Sequence, residues 1–304
     1  MSDKPFYPIG TPGVPWGAAE KAAWLARQRR QRSYADDVLS AERRLAKTFE
    51  VLRYGQLDVD PQRYPLLAYK SRPWRDGGPI VFVTGGVHGY ETSGVHGALR
   101  FAERHAQDYA GQVNLLVAPC VSPWGYEHIQ RWNPYAVDPN RSFVNGAAQE
   151  AAAVMQLVAP IHDKVLMHID LHETTDTDES EFRPAKAARD GEAFKPDAIP
   201  DGFYLVDDTE QPQTAFQSAI IATVEKVTHI APGDAKGQII GSAMVAPGVI
   251  QYALKKLGLC AGVTEAKFRT TTEVYPDSPR TNPQACNVAQ ATAVCAAIDF
   301  ALKK

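Results

Sequence analysis

Short apolar runs, separated by segments long enough to form helices, recur along this chain and limit the folds open to it. Ile80–Thr84, Val113–Ala118 and Val165–Leu171 are rich in β-branched and aliphatic residues, which is typical of buried strands. Thr92–His105 and Ala147–Ile161, which lie between these runs, have the amphipathic pattern of helices. Because strands that alternate with helices pair in parallel, we predict an α/β fold with a mixed, largely parallel twisted β-sheet and helices on both faces.

Weaker patterns complete the predicted order of elements. Residues 1–16 are rich in Pro and Gly and predict an extended arm, whereas residues 174–200 predict a long acidic loop. Further strands are predicted at Glu50–Leu57, Leu66–Arg72, Gly202–Val206 and Gly262–Lys267, and further helices at Ala18–Arg30, Tyr34–Phe49, Gln213–Val227 and Pro283–Leu302.

Composition excludes several classes of function. A net charge of −3 provides no basic field for nucleic acid or an anionic membrane surface. The sequence has no run of about 18 apolar residues and no basic start followed by an apolar core, so we expect neither a membrane span nor a secretory signal. The four cysteines lack CxxC spacing, which indicates reduced thiols, and we therefore expect a cytoplasmic protein.

Residues of a type that bind metals follow the first apolar run. His88 and Glu91 lie three positions apart, so both side chains can reach one ion. This spacing alone is a weak signal, but three further motifs follow it in order, each beside a strand-like run. They are DPNR at Asp138–Arg141, DLHE at Asp170–Glu173 and TEAKF at Thr264–Phe268.

These four motifs, in this order, resemble those of the zinc metallocarboxypeptidase family of the carboxypeptidase A type, in particular its small bacterial members without a pro-segment. The resemblance extends from about Ile80 to the C-terminus and implies a single catalytic domain over residues 1–304, with residues 1–50 as an N-terminal arm and helices. It also implies one zinc ion per chain. The implied zinc ligands are His88, Glu91 and His172.

The same resemblance assigns roles to other residues of the motifs. Asn140 and Arg141 are expected to bind the carboxylate of the substrate, because a guanidinium can grip it with two parallel hydrogen bonds. Arg131 is expected to polarise the scissile carbonyl, and Glu265 is expected to act as general base.

Two aspartates are candidates for orienting the ligand imidazoles. The family places such a residue at the position of Asp138. Asp170 lies two residues before His172, on the same face of its strand. The family's mobile Tyr has no clear counterpart here, and Tyr252 is the nearest phenol.

The expected function is removal of one C-terminal amino acid from a peptide by a zinc exopeptidase. Six carboxylates and no cation lie between Asp170 and Glu181, and this charge predicts a preference for basic C-terminal residues. An N-acyl amino acid deacylase of the aspartoacylase or succinylglutamate desuccinylase type shares the pattern and stays open. A cell-wall peptide hydrolase and a metal-free binding domain are further alternatives.

Overall fold

The computed structural model describes residues 7–303, which form an α/β fold built on an eight-stranded sheet, as predicted. The strands follow the spatial order β1-β2-β4-β3-β5-β10-β6-β9. Their bounds are β1 (Phe49–Gln56), β2 (Pro65–Ser71), β3 (Ile80–Gly85), β4 (Asn114–Ala118), β5 (Val165–Glu173), β6 (Tyr204–Asp208), β9 (Val249–Tyr252) and β10 (Phe268–Val274). A separate short hairpin consists of β7 (Gln238–Ile239) and β8 (Ser242–Ala243).

The centre of the sheet is parallel and its margins are mixed. β3 pairs in parallel with β4 and β5, and β5 pairs in parallel with β10. β1 and β2 form the predicted antiparallel pair at one side, and β6 joins β10 in antiparallel fashion at the other. The carboxyl ends of β3, β5 and β10 therefore open at the same edge of the sheet, where ligand sites of α/β proteins form.

Helices cover both faces of the sheet. Their bounds are α1 (Ala18–Leu25), α2 (Tyr34–Asp37), α3 (Glu42–Leu45), α4 (Thr92–Arg104), α5 (Pro123–His128), α6 (Gln149–Val158), α7 (Arg183–Asp190), α8 (Thr214–Val224) and α9 (Pro283–Ala301). α4, α8 and α9 pack together over the face that carries Val81 and Val83, whereas α6 packs over the face that carries Phe82. This division follows from the alternation of side chains along a strand.

Three sequence predictions of local structure were wrong. Residues 34–49 form α2, a 3-10 turn and α3 instead of one helix, and the turns bury Val38 and Leu45. Residues 174–200 contain α7 and a preceding π-helical turn, so they are not simply a loop. The last strand begins at Phe268 and not at Gly262, because a 3-10 turn ends at Gly262.

Other predictions fall partly outside the described residues. Residues 1–6 of the predicted arm lie there, and the single-domain organisation over residues 1–304 stays a prediction. Three of the four cysteines are buried and none is in a disulfide. Within residues 7–303, no helix combines the length and the apolar character that crossing a membrane requires.

Candidate metal centre and adjoining cleft

The predicted metal ligands lie at the carboxyl edge of the sheet. β3 ends at Gly85, where a Cβ atom would stand 2.3 Å from the carbonyl oxygen of Gly94 in α4. Only glycine permits this close approach of strand and helix. The tight turn that follows places His88 and Glu91 immediately before α4, opposite His172 near the end of β5.

His88, Glu91 and His172 form one buried cluster whose donor atoms lie within 4.8 Å of one another. Nδ1 of His88 lies 2.7 Å from Oε1 of Glu91, and Nδ1 of His172 lies 2.7 Å from Oε2. Oε2 is buried, yet no donor among residues 7–303 is aligned to hydrogen-bond with it. Burial alone would raise the pKa of Glu91, but the two imidazoles lower it to about 2. Two imidazole nitrogens and a carboxylate are a donor set that suits Zn²⁺, so these residues fit a metal site.

The opposite nitrogen of each imidazole is held by an aspartate. Nε2 of His88 lies 3.0 Å from Oδ1 of Asp138, and Nε2 of His172 lies 2.6 Å from Oδ2 of Asp170. The hydroxyl of Thr84 donates to the other oxygen of Asp170 at 2.6 Å. Such carboxylates keep the proton on Nε2 and leave Nδ1 as the metal donor. Asp138 and Asp170 each lie within hydrogen-bonding distance of one of the two imidazoles, and their role in orienting metal ligands stays a prediction.

Arg131 joins the metal cluster to the segment that precedes α7. Its Nε donates to Oδ2 of Asp138 at 3.1 Å, and its Nη1 lies 3.5 Å from Oδ1 of Asp178. Burial opposes the charge of Asp138, but Arg131 and His88 hold the pKa of this carboxyl well below its usual range. Arg131 therefore lines the cleft and also helps to hold Asp138 in place, and its expected role in polarising the scissile carbonyl stays a prediction.

Asn140 and Arg141 line the same cleft but are engaged differently. The side chain of Asn140 accepts a hydrogen bond from the backbone of Cys260 at 2.7 Å, and its Nδ2 lies 3.4 Å from Nε2 of His172. Arg141 donates to the backbone oxygen of Asn140 at 2.6 Å. Among residues 7–303, no carboxylate forms an ion pair with Arg141, and burial lowers the pKa of its guanidinium. The residue as a whole is nevertheless exposed, so its guanidinium is a solvent-accessible cation at the cleft, suited to an anionic ligand.

The placement of Glu265 corrects the sequence analysis. Its carboxylate is 48% exposed and pairs with Nζ of Lys255 at 2.6 Å, outside the cleft. The prediction failed because the apolar residues before Glu265 form a turn and not a strand.

The acid that enters the cleft is Glu273, near the end of β10. Its Cα pairs with that of His172 on β5, and the hydroxyl of Thr174 donates to its Oε2 at 2.9 Å. Burial raises the pKa of Glu273 to about 8. The β-branched run Thr270–Thr272 was the signal for this strand, although the last strand predicted from the sequence ended at Lys267.

The remaining lining of the cleft is apolar on one side. Residues of β6, β9, the β7–β8 turn and the segment before β10 continue from the cleft into a small hydrophobic core, and apart from Tyr252 they were not singled out from the sequence. They include Val206, Ile240, Tyr252 and Leu259. The cavity that they share with the metal cluster measures about 260 Å³.

The predicted acidic loop offers no free carboxylate of its own to this cleft. Asp178 accepts a hydrogen bond from Tyr90, and Glu179 pairs with Arg183. Glu181 accepts from Tyr7. Arg131 and Arg183 pair with Asp178 and Glu179, so part of this negative charge is balanced within the fold, and the preference for basic side chains stays a prediction.

Fold and site together define a class: a carboxypeptidase-like α/β protein with a buried His₂Glu cluster beside a cationic and an apolar surface. Residues 80–209 match a family model described as "Protein of unknown function (DUF2817)", and no curated protein matches the chain. This matched segment contains His88, Glu91 and His172 but ends before Glu273.

Solved structures show the same fold at low sequence identity. A putative metallopeptidase from Shewanella denitrificans superimposes with a TM-score of 0.63 and 18% identity, over 89% of this chain and 90% of that one. A metallo-carboxypeptidase from Burkholderia cenocepacia gives 0.57 and 15%, over 95% and 70%. Bovine thrombin-activatable fibrinolysis inhibitor, in complex with tick carboxypeptidase inhibitor, gives 0.59 and 12%, over 92% and 99%.

Proposed function

We propose that this protein is a zinc-dependent carboxypeptidase that releases one amino acid from the C-terminus of a peptide. One observation carries the proposal. The unpaired guanidinium of Arg141 and the raised-pKa carboxyl of Glu273 share a single cleft with the His88, Glu91 and His172 cluster. An exopeptidase needs these three parts together, because it must recognise a free carboxylate and activate water beside the adjacent amide.

The metal site would be formed by Nδ1 of His88, Nδ1 of His172 and the carboxylate of Glu91. A zinc ion held there supplies Lewis acidity and lowers the pKa of water. Asp138 and Asp170 fix the two imidazoles, so the donor atoms are arranged before any ion binds.

The other side chains divide the work of binding and proton transfer. Arg141 binds the substrate carboxylate, and Arg131 polarises the carbonyl of the scissile bond. Glu273 accepts a proton from the attacking water and delivers it to the leaving amine. Thr174 donates to one oxygen of Glu273 and therefore leaves the other oxygen for this transfer.

The apolar lining supports a preference for an uncharged C-terminal side chain. Val206 and Leu259 are nearly fully buried in the cleft wall, where an ammonium or guanidinium group would lose its hydration without gaining a partner. We therefore propose Leu or Phe at this position in place of Lys or Arg.

A chain-end assay tests the proposed function. Zinc-loaded protein is incubated with N-acylated peptides that end in Leu, as the free acid and as the C-terminal amide, and released leucine and leucinamide are measured. We expect release from the acid only, and about 100-fold less after Arg141→Gln, since the substrate loses its charged anchor. Equal cleavage of acid and amide, or release of internal fragments, would contradict the proposal.

The second candidate is an N-acyl amino acid deacylase. The observation that favours it is the small cavity of about 260 Å³, because an acylated amino acid needs less room than a peptide. The same Arg141 would bind its carboxylate. Release of acetate or succinate from N-acyl amino acids, without shortening of peptides, would favour this candidate.

A further inference from the structure

The residue that follows Arg131 belongs to a buried aromatic cluster. The ring of Trp132 packs against that of Trp24, with ring centres 5.5 Å apart, and meets that of Trp16 edge to face at 6.0 Å. The guanidinium of Arg189 in α7 lies 4.3 Å from the centre of the Trp132 ring. None of the three tryptophans is more than 6% exposed. Trp132 is therefore held by residues that are distant from it in the sequence.

Two of these contacts come from the N-terminal segment around α1. Trp16 precedes this helix and Trp24 lies within it. The backbone amide of Trp16 donates to the carbonyl of Arg189 at 2.8 Å, and its indole donates to the carbonyl of Ile9 at 3.2 Å. The N-terminal segment is thus attached to α7 by a hydrogen bond and to Trp132 by ring contacts.

Trp132 makes these contacts with its ring and not with its indole nitrogen. Its Nε1 is buried, and no acceptor among residues 7–303 bonds to it. A buried N–H without a partner lowers stability, so hydrogen bonding does not explain a tryptophan at this position. The residue instead provides a large, stiff aromatic surface against which two rings and a guanidinium can pack.

Trp132 lies in a loop whose two ends carry groups of the metal centre. Arg131 and Asp138 flank this loop and form an ion pair of 3.1 Å, while hydrogen bonds within residues 132–137 close the loop itself. Asp138 in turn lies 3.0 Å from Nε2 of His88. A shift of Trp132 therefore moves Arg131, its neighbour in the chain, and through the ion pair disturbs Asp138.

We infer that Trp132 is a positioning residue of the metal centre: clamped by the N-terminal segment, it holds Arg131 where its ion pair fixes Asp138. This inference rests on the proposed function, because it assigns Trp132 to the proposed zinc site. Loss of a carboxylate that orients a ligand imidazole weakens metal binding about 10- to 100-fold. Loss of the support behind that carboxylate should act in the same direction, with an effect near the lower end of this range.

The test is a double-mutant cycle on zinc affinity, measured by competition with a chelator. We expect Trp132→Leu to weaken zinc binding about tenfold and Asp138→Ala to weaken it about 10- to 100-fold. The double variant should lie within about threefold of Asp138→Ala, because Trp132 has no carboxylate left to position. A full additional tenfold loss would mean independent effects and would overturn the inference. Trp16→Leu, which removes one of the two rings around Trp132, replaces Trp132→Leu in the cycle if that variant does not fold.

Two further variants separate positioning from a general loss of packing. Trp132→Phe keeps an aromatic surface and removes no hydrogen bond, so it should restore most of the affinity that Trp132→Leu loses. Phe49→Leu is the matched control, because it reduces a buried aromatic residue of β1 that packs against Tyr69, away from the cleft. It should lower the free energy of unfolding and leave zinc affinity unchanged. An equal loss of zinc affinity in Phe49→Leu and Trp132→Leu would contradict a positioning role.

A measurement on metal-free protein distinguishes failure of this inference from failure of the proposed function. The ring N–H of His88 beside Asp138 is observed by NMR of protein with ¹⁵N-labelled histidine. We expect a proton that exchanges slowly with water in the wild-type protein and in Trp132→Phe, and rapid exchange in Trp132→Leu. If wild-type protein binds no zinc, the proposed function fails and this proton alone decides the inference. Its absence from the wild-type spectrum, or equally slow exchange in Trp132→Leu, would refute the positioning role.

Discussion

Two glutamates eight positions apart show how burial decides the role of a residue. Glu265 and Glu273 flank the start of β10, but only Glu273 lies in the cleft. Glu265 is half exposed and paired with Lys255, where water and a cation keep it an ordinary surface acid. Burial raises the pKa of Glu273 to about 8, close to that of a general base that works near neutrality.

We predict that Glu273→Gln lowers kcat by at least about 100-fold, because an amide cannot accept the proton of water. Zinc content, measured by elemental analysis, should stay at one ion per chain, since Glu273 is not a predicted ligand. Glu265→Gln is the matched control and should retain near wild-type turnover. Loss of turnover in Glu265→Gln with normal turnover in Glu273→Gln would instead support Glu265 as the general base, as the sequence analysis expected.

The aspartates behind the imidazoles provide a second prediction. Asp170→Asn should weaken zinc affinity about 10- to 100-fold, because the amide no longer holds the proton on Nε2 of His172. His172→Ala should abolish stoichiometric binding. Competition with a chelator measures both effects.

The control for this series is Asp207→Asn, which alters a buried carboxylate of β6 that bonds to Gln217 and Gln251. It should leave zinc affinity unchanged. Full zinc occupancy in His172→Ala would refute the metal site.

At the scale of elements, one buried carboxylate joins three segments that are distant in sequence. Glu127 in α5 accepts from the backbone of Tyr34 at the start of α2. It also accepts from Arg63 through two nitrogens and from the hydroxyl of Tyr64, just before β2. The N-terminal helices are therefore attached to the sheet by hydrogen bonds to a charged group as well as by apolar contacts.

We predict that Glu127→Gln lowers the free energy of unfolding by about 1.5–3 kcal/mol, the usual worth of hydrogen bonds to a charged group. Urea denaturation measures the change. Glu103→Gln is the control, because the ion pair of Glu103 with Arg44 is partly exposed and worth about 1 kcal/mol or less. Equal destabilisation by both variants would mean that Glu127 does not hold these segments together.

At the scale of the whole molecule, buried acids make stability depend on pH. Glu150 of α6 is 2% exposed and bonds to Asn133 and Ser122. Burial raises its pKa to about 7 from an ordinary value near 4.5. The folded state therefore holds this proton more tightly than the unfolded state does. Its contribution to stability is complete below about pH 4.5 and declines as the pH rises to about 7.

We predict that wild-type protein loses up to about 3 kcal/mol relative to Glu150→Gln as the pH rises from 4.5 to 8. The amide does not ionise, and it keeps one acceptor oxygen for the hydrogen bonds that Ser122 and Asn133 donate. Urea denaturation of both proteins at pH 5 and pH 8 isolates this group, because other titrating residues cancel in the difference. A difference between the two proteins that does not change with pH would contradict the role of Glu150.

The sequence by itself determined those parts of this protein that depend on local pattern. The apolar runs of β3, β4 and β5 indicated the parallel centre of the sheet. A strand that is buried on both faces is apolar throughout, and such strands are typical of parallel sheets. The motifs that follow β3 and β5 identified His88, Glu91 and His172, since residues at the ends of adjacent parallel strands converge at one edge.

Only the tertiary structure decided which acid enters the cleft and what surrounds it. Glu265 and Glu273 both lie near strand-forming residues. The pairing of β10 with β5 places Glu273, and not Glu265, beside His172 in the cleft. Whether the acids of residues 170–181 would face a substrate was equally undetermined. Their partners, such as Tyr7 for Glu181 and Tyr90 for Asp178, come from distant parts of the chain. The charge that a ligand meets depends on which side chains are already paired, and pairing over such separations is set by the fold.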